Sequence, residues 1–190
     1  ERYLAIGWDS GAVPVVVLTK SDLCENVDKL LHEAYSVSIG ADIVVTSVIQ
    51  EDGYSQIMPY IREGETVAFI GSSGVGKSTL INCLIGEDKQ NINGLRNDDK
   101  GRHTTTNREL LLLKNGGMVI DTPGMRELGL ENVDLSKSFS DIDDLAALCK
   151  FSDCTHTSEP GCAVLKAINE GILSTERFLS YEKLKKESKY

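Results

Sequence analysis

The sequence lacks any apolar run long enough to cross a bilayer. Its longest runs, AVPVVVL and ELLLLK, are far shorter than the roughly 20 residues that a membrane-spanning helix needs. No charged and then apolar leader of the signal-peptide type opens the chain, and the first residue is not methionine. We therefore predict a cytoplasmic protein with no membrane partner, and we expect a further N-terminal piece before Glu1 in the intact protein.

Positive charge is also scarce. The chain has 20 lysines and arginines against 29 aspartates and glutamates, which gives a net charge of −9. This balance argues against nucleic-acid binding driven by overall charge, so any contact with RNA must be local or supplied by a part outside this sequence. With 190 residues, of which 41% are hydrophobic, the chain can bury the core of one ordinary domain and a small appendage.

The even set of cysteines that a disulfide framework requires is absent. Three of the five cysteines lie beside a histidine with the spacing C-x4-C-x-H-x5-C. These residues offer a Cys3His set for tetrahedral zinc: Cys149, Cys154, His156 and Cys162. Four protein ligands leave no open position for catalysis, so the zinc would be structural and its loss would unfold this small domain. A redox switch or unpaired buried thiols are the alternatives.

Apolar runs bounded by turn residues predict an α/β fold. Buried strands are expected near four ranges: Val13–Leu18, Ile43–Thr46, Thr66–Ile70 and Met118–Asp121. Amphipathic stretches separate the first three strands, an alternation typical of a mainly parallel sheet covered by helices. The sequence then turns acidic, enters the Cys/His cluster and ends in a lysine-rich helix predicted from Ser174. We place the domain boundary near Asn132.

The segment GSSGVGKS fits the phosphate-binding loop pattern completely. It follows the predicted strand TVAFI and precedes the apolar helix TLINCLI, where backbone N–H groups and a helix N-terminus can surround phosphate oxygens. Lys77 would reach the β and γ phosphates, and Ser78 would bind Mg²⁺. An ordinary glycine-rich turn is the alternative. The predicted phosphate-binding residues are Gly71, Ser72, Ser73, Gly74, Val75, Gly76, Lys77, Ser78 and Thr79.

The segment DTPG closes the predicted strand GMVI and matches a second nucleotide motif. Asp121 would hold Mg²⁺ through water, and the N–H group of Gly124 would sense the γ-phosphate. Alone, the four residues could form a plain turn. Together with the phosphate loop they indicate the metal side of a nucleotide site.

Base recognition is predicted at VVVLTKSD, a strand followed by a polar loop. Asp22 would accept the N1 and N2 hydrogens of guanine, which adenine cannot offer, and the stem of Lys20 would cover the ring. Thr19 stands where the motif usually has asparagine. The segment VVTSV places Ser47 after another buried strand, where its backbone N–H could meet guanine O6. Both loops would lie at the sheet edge where open α/β sheets bind ligands.

The motifs occur in the order base, base, phosphate, switch and metal, whereas most small GTPases place the phosphate loop first. A circularly permuted chain, in which the ends of the usual chain order are connected and the chain starts at another point, can form the same sheet and the same site. This order, with GSSGVGKSTLIN, GRHTTT, DTPGMREL and CKFSDCTHTSEPGC, resembles the RsgA family of small-ribosomal-subunit biogenesis GTPases. The resemblance covers nearly the whole chain, from ERYL to SYEKL.

The resemblance implies an N-terminal OB-fold barrel, a circularly permuted P-loop GTPase domain and a small, mostly helical zinc-binding domain. The barrel is absent here, so we assign residues 1–132 to the GTPase domain and 133–190 to the zinc domain. The family acts late in maturation of the 30S subunit, which stimulates its hydrolysis of GTP to GDP. The expected partners are therefore GTP, GDP, the small ribosomal subunit and its rRNA, and we expect a monomer.

The long polar stretch before residue 109 contains GRHTTT, the predicted switch. The resemblance favours Thr105 for Mg²⁺ and the γ-phosphate, with Thr104 and Thr106 left open. Many GTPases place a water-orienting glutamine after the metal-side glycine, but here that residue is Met125. His103 is the predicted substitute, since an imidazole can position water near neutral pH. A solvated loop histidine is the alternative.

Two rival functions remain open at this point. One is a zinc-stabilised RNA-binding adaptor that holds GTP or GDP but barely hydrolyses GTP, and the other is an ATP-using P-loop enzyme, against which Asp22 argues. Local RNA contact is predicted for lysines near the end of the chain, although such a charge run could serve solubility alone. These lysines are Lys183, Lys185, Lys186 and Lys189.

Overall fold

The computed structural model describes residues 1–50, 53–86, 109–121, 130 and 132–188. The helices are α1 Arg2–Asp9, α2 Val27–Val37, α3 Lys77–Ile85, α4 Ser140–Ala147, α5 Ala163–Asn169 and α6 Thr175–Glu187. The strands are β1 Val15–Leu18, β2 Asp42–Val45, β3 Thr66–Phe69, β4 Glu109–Leu112 and β5 Met118–Asp121, with 3₁₀ turns at Ser21–Leu23 and Ser55–Tyr60. Among these residues, no helix combines the length and apolar character needed to span a bilayer.

A three-stranded sheet in the order β3-β5-β4 supports the phosphate loop. Strands β3 and β5 are parallel, and their register runs from Thr66 opposite Met118 to Phe69 opposite Asp121. The carboxyl ends of both strands therefore lie side by side, immediately before the phosphate loop in one case and at the metal-side motif in the other. This is the sheet edge at which the sequence predicts the site.

Strand β4 pairs with β5 in the antiparallel direction, which makes this sheet mixed. The two strands form a hairpin in which the N–H of Leu113 donates to the carbonyl of Gly117 at 2.8 Å. The predicted α/β fold class is confirmed, and the four predicted strands occur close to their expected positions. The sequence analysis does not predict β4, because a run of four leucines is equally compatible with a buried helix segment, and leucine favours helices.

Strands β1 and β2 form a separate two-stranded sheet. Where the strands end, the N–H of Thr46 donates to the carbonyl of Leu18 at 2.7 Å, and the N–H of Ser21 donates to the carbonyl of Thr46 at 3.1 Å. The two predicted base-recognition loops therefore leave their strands next to each other, although 25 residues separate Asp22 from Ser47.

The chain contacts divide into two compact units. We call Val17–Val27 with Val44–Leu128 the phosphate unit, and Glu1–Val16, Asp28–Ile43 and Gly129–Tyr190 the cysteine unit. The core of the cysteine unit contains the fully buried Phe139, Ile142 and Val164, and α1 adds Ala5 to it. The predicted domain boundary near Asn132 stays a prediction.

Arg177 is a buried residue that joins three parts of the cysteine unit through two partly buried ion pairs. Its side chain is 4% exposed, and it donates from Nε to Asp141 and from a terminal nitrogen to Glu1, both at 2.7 Å. It also donates to the carbonyl of Ser138 at 2.8 Å and lies 4.8 Å from the ring centroid of Phe139. Burial lowers the pKa of Arg177, but the two carboxylates outweigh it and the net shift is upward. The start of α1 is thereby attached to α4 and α6.

Candidate functional site

The phosphate loop connects β3 to α3 and needs glycine at two of its positions. Gly74 has φ of 82° and Gly76, which caps α3, has φ of 97°, a left-handed conformation that other residues adopt only with strain. The helix begins at Lys77, whose Nζ lies 3.4 Å from the carbonyl oxygen of Gly71. Free N–H groups at this helix start and the Lys77 ammonium can together hold an anion.

The first base-recognition loop is hydrogen-bonded to the phosphate loop. Nζ of Lys20 donates to the carbonyl of Gly74 at 2.7 Å, and Oγ1 of Thr19 donates to the carbonyl of Val75 at 2.5 Å. Lys20 itself adopts a left-handed conformation with φ of 59°, which turns its side chain towards the loop. The hydroxyl of Thr19 thus makes a connection to the phosphate loop even though asparagine is the usual residue here.

Asp22 is held by the second base-recognition loop. It lies in the 3₁₀ turn Ser21–Leu23, and Oγ of Ser47 donates to its Oδ1 at 2.5 Å. Ser47 is only 1% exposed, so this donor is itself fixed by its surroundings. The carboxylate keeps further acceptor positions, because an ionised carboxylate can accept about four hydrogen bonds.

A pocket of about 180 Å³ lies between these loops and the start of α3. It is smaller than the ~300–1,000 Å³ of most drug-sized ligand sites, and it therefore fits one part of a nucleotide, such as the base. Its lining comprises Thr19, Lys20, Asp22, Leu23, Thr46, Val48, Ile49, Gly76, Thr79 and Leu80. The site residues predicted from the sequence supply half of this lining, and their chain neighbours supply most of the rest.

Leu23 and Ile49 are pocket residues that the sequence analysis missed. They are 75% and 78% exposed, which is unusual for large apolar side chains on a folded surface unless something covers them. An aromatic base could provide that cover. The sequence offers only their position as a signal: Leu23 directly follows Asp22, and Ile49 lies two residues after Ser47.

The backbone N–H of Ser47, predicted to meet guanine O6, donates to the carbonyl of Gly53 at 3.2 Å. The following residue, Val48, also lines the pocket. Its N–H makes no hydrogen bond with the part of the chain that the structure describes. The role of the Ser47 amide stays a prediction, and Val48 is a second backbone donor at the same place.

The metal side of the site is described only in part. Asp121 ends β5 opposite Phe69, two residues before the phosphate loop, and Ser78 lies in the first turn of α3. A carboxylate and a hydroxyl are oxygen ligands of the kind that Mg²⁺ prefers, so these two residues fit the ion. The remaining predicted residues lie outside the described part of the chain: His103, Thr104, Thr105, Thr106 and Gly124.

We expect Thr19→Val to weaken binding of guanine nucleotide about 5- to 10-fold, since one hydrogen bond contributes roughly 1 kcal/mol and the Val75 carbonyl would lose its partner. Thr19→Asn, which restores a side-chain donor, should bind close to the unchanged protein. The measurement is a titration with fluorescent GDP. Equal affinity of the valine and threonine proteins would show that the link to Val75 contributes nothing.

A second site in the cysteine unit could hold a metal ion. The ligand atoms of Cys149, Cys154, His156 and Cys162 all lie within 4.8 Å of one another. Sγ of Cys149 is 3.8 Å from Sγ of Cys162, and Nδ1 of His156 is 3.6 Å and 3.4 Å from these two sulfurs. Zinc bonds of about 2.3 Å to sulfur and 2.1 Å to nitrogen in a tetrahedron place sulfurs about 3.8 Å apart and sulfur and nitrogen about 3.6 Å apart. The residues therefore fit tetrahedral zinc.

Backbone amides near the start of α5 point at two of the sulfurs. The N–H of Leu165 donates to Sγ of Cys162, and the N–H of Ala163 donates to Sγ of Cys149, both at 3.4 Å. Burial raises the pKa of Cys149, but hydrogen bonds from the backbone N–H groups of Ala163 and Val164 and from the neighbouring thiols outweigh it, and the net shift is downward. Desolvation and the neighbouring thiols raise the pKa of Cys154 to about 11. Adjacent thiolates repel each other, and a divalent cation between them removes this cost.

Glu159 organises the turn that presents His156. Its carboxylate accepts hydrogen bonds from the backbone N–H groups of Thr155, Thr157 and Ser158 at 2.8 to 3.0 Å, and from the Thr155 hydroxyl. These donors lower the pKa of Glu159 well below its usual range. His156 adopts φ of 60° inside this turn, so the bonds compensate for a conformation that costs free energy.

We expect Glu159→Ala to weaken metal binding about 10- to 100-fold, the range found when residues that support metal ligands are removed. The matched control is Glu170→Ala, which removes an exposed carboxylate paired with Lys166 at 3.8 Å in the same unit. Competition between the protein and a colorimetric chelator for zinc measures both affinities. If the two variants bind zinc equally well, Glu159 does not position His156.

Three comparisons with known proteins agree with this geometry. The family model described as RsgA GTPase matches residues 1–131. The small ribosomal subunit biogenesis GTPase RsgA 2 of Lactiplantibacillus plantarum is 54% identical over 191 residues, covering 100% of this chain and 54% of that relative. The chain spans about half the length of the curated relatives it matches.

Two solved structures are similar to this chain over most of its length. YjeQ from Thermotoga maritima has a TM-score of 0.68 and 31% identity, covering 96% of this chain and 62% of that one. YloQ, a circularly permuted GTPase, also has a TM-score of 0.68, with 28% identity over 97% of this chain and 60% of that one. The permuted arrangement inferred from motif order is thus the arrangement of a known fold.

Proposed function

The chain belongs to the RsgA GTPase family, and on this premise we propose that the protein binds GTP and GDP and hydrolyses GTP to GDP and phosphate. The observation that carries the proposal is the contact of Thr19 and Lys20 with the phosphate loop. It unites a base-reading loop with a phosphate loop that lies more than 50 residues later in the chain. The motifs therefore belong to a single site within the phosphate unit.

The residue roles in nucleotide binding follow from this arrangement. The loop from Gly71 to Thr79 holds the phosphates, and Lys77 offsets charge on the β and γ groups. Asp22 selects guanine, while Ser47 orients its carboxylate through the hydroxyl. The backbone N–H of Ser47 would meet guanine O6, and the N–H of Val48, which also lines the pocket, is a second donor at the same place.

Ser78, Thr105 and Asp121 would hold Mg²⁺, with Asp121 acting through water. The ion would supply positive charge against the phosphate oxygens. His103 would orient the attacking water, and the N–H of Gly124 would respond to the γ-phosphate. Catalysis would require His103 and Thr105 to be held in position beside the nucleotide. We therefore expect intrinsic GTP hydrolysis to be slow and to accelerate when a partner positions this loop.

The Cys3His cluster would hold one structural zinc ion, because soft thiolates and imidazole suit zinc and all four positions are protein ligands. Residues 1–132 would form the nucleotide domain and 133–190 the zinc domain. The names of the relatives refer to biogenesis of the small ribosomal subunit. We extend this role to the present protein as a cytoplasmic, monomeric assembly factor.

Contact with rRNA would use lysines of α6. Nζ of Lys185 donates to the hydroxyl of Tyr181 at 2.9 Å and lies over that ring, so its charge is partly directed into the unit. Lys183 and Lys186 are exposed and are the better candidates for phosphate contacts. Lys189 lies outside the described residues.

The test is GTP hydrolysis by the intact protein with and without purified small ribosomal subunits, with ATP as the control nucleotide. We expect a large acceleration for GTP alone. His103→Ala should lower the stimulated rate about 10²- to 10⁴-fold, as loss of a group that orients or deprotonates water does. His32→Ala, which changes an exposed histidine of α2, is the matched control. Tight GDP binding without acceleration would instead favour the RNA-binding adaptor.

A further inference from the structure

A groove in the cysteine unit is lined by none of the four metal-ligand residues, although Leu148 directly precedes Cys149 in the chain. It has a volume of about 300 Å³ and is formed by α4, the residue that follows this helix and the segment between α5 and α6. Its lining residues are Asp141, Asp144, Leu145, Leu148, Ile172 and Leu173. The volume is at the small end of ligand sites, so the groove can receive one or two side chains and not a folded domain.

The floor of the groove is apolar and its walls are open to solvent. Leu173 is 4% exposed and belongs to the core of the unit, whereas Leu148 and Ile172 are each 73% exposed. Two large aliphatic side chains that line one depression and are both exposed are a feature of interaction sites on otherwise polar surfaces. An apolar side chain placed between them would remove both from water.

The charge at the rim selects the kind of partner. The lining has two aspartates and, within the described part of the chain, no lysine, arginine or histidine. Asp141 is already paired with Arg177, whereas Asp144 is exposed and makes no ion pair in the described residues. A phosphate backbone would be repelled here, and a lysine or arginine would be attracted.

We propose that this groove docks a basic, extended segment of a protein of the small ribosomal subunit. One large aliphatic or aromatic side chain of that segment fills the space between Leu148 and Ile172, and an adjacent lysine or arginine pairs with Asp144. The identity of the partner rests on the proposed function. The choice of protein over rRNA rests on the aspartates and the apolar lining.

Photo-crosslinking tests the groove in the intact protein bound to purified small subunits. A benzophenone amino acid replaces Leu148 in one variant and Leu179 in the control, because Leu179 is a 57% exposed leucine of the same unit outside the groove. We expect position 148 to crosslink to one or a few basic ribosomal proteins and position 179 not to reach them. Crosslinks from position 148 to rRNA, or none while the protein still co-sediments with subunits, would overturn the proposal.

Charge and size variants give a second measurement. Asp144→Lys and Ile172→Lys should each weaken binding to small subunits about tenfold, as loss of a central interface residue does. Glu33→Lys and Leu30→Lys, which change exposed residues of α2 outside the groove, should bind as the unchanged protein does. Zinc content and circular dichroism verify that all four variants fold. Unchanged binding of both groove variants would contradict the proposal.

Co-sedimentation separates a failure of the proposed function from a failure of the groove assignment. If the unchanged intact protein does not co-sediment with small subunits, the proposed function fails and the groove assignment fails with it. If the protein co-sediments and hydrolyses GTP faster but the groove variants behave like their controls, only the groove assignment fails.

Discussion

Replacing Asp22 with asparagine is expected to lower the affinity for GDP and GTP about 10⁴-fold, the scale at which a hydrogen-bonding site rejects a mismatched group. The carboxylate accepts both the N1 and N2 hydrogens of guanine, whereas an asparagine amide would direct a donor at one of them. Xanthine carries an oxygen where guanine carries the amino group, so xanthosine diphosphate should bind the variant better than GDP does. Competition against fluorescent GDP and fluorescent xanthosine diphosphate measures the switch.

The substitution Asp22→Asn should change the contact with the base and leave the contact with Ser47 in place. Asparagine retains an Oδ1 that can accept the hydrogen bond from Ser47, so the loop should keep its position. Glu25→Gln is the matched control, because it neutralises an exposed carboxylate three residues later. Unchanged GDP affinity in Asp22→Asn would mean that the pocket beside α3 does not bind the base, and the nucleotide assignment would have to be revised.

Replacing Cys162 with alanine is expected to abolish stoichiometric zinc and to unfold the cysteine unit. Cys162 is 5% exposed, belongs to the hydrophobic core and caps α5 through its sulfur. Structural zinc contributes about 10–16 kcal/mol in zinc-finger peptides near pH 7, which is as large as the total stability of about 5–15 kcal/mol that a typical domain has. Metal analysis of the purified protein and thermal unfolding followed by circular dichroism measure the two effects.

Cys83→Ala is the control, because Cys83 lies on α3 in the phosphate unit and is not among the clustered ligands. It should retain one zinc ion and its thermal transition. Removal of zinc from the unchanged protein with a chelator gives the same test without a mutation. A Cys162→Ala protein or a chelated protein that keeps its helical signal and its transition would show that the core of Phe139, Ile142 and Val164 is stable without metal.

Several interactions could not be predicted from the sequence because they join residues far apart in it. Glu1 and Arg177 are 176 residues apart and meet in a partly buried ion pair, with Asp141 as the second carboxylate. Neither periodicity nor motif spacing carries information about such a pair. The same applies to Thr19, whose hydroxyl donates to the carbonyl of Val75. From the sequence alone, the only difference to be noted is that the threonine hydroxyl offers fewer hydrogen bonds than the usual asparagine amide.

The sequence by itself determined the motifs from which the chemistry is predicted: the phosphate-loop pattern, the aspartate predicted to read guanine, the Cys3His spacing and the permuted order of the motifs. Each of these depends on residue types at short, fixed spacings, where local backbone geometry decides what the side chains can reach. Only the tertiary structure decided which loops meet, that Ser47 holds Asp22, that Leu23 and Ile49 flank the pocket, and that β4 runs antiparallel. Those features arise from packing between distant segments, whose free energy depends on the whole fold.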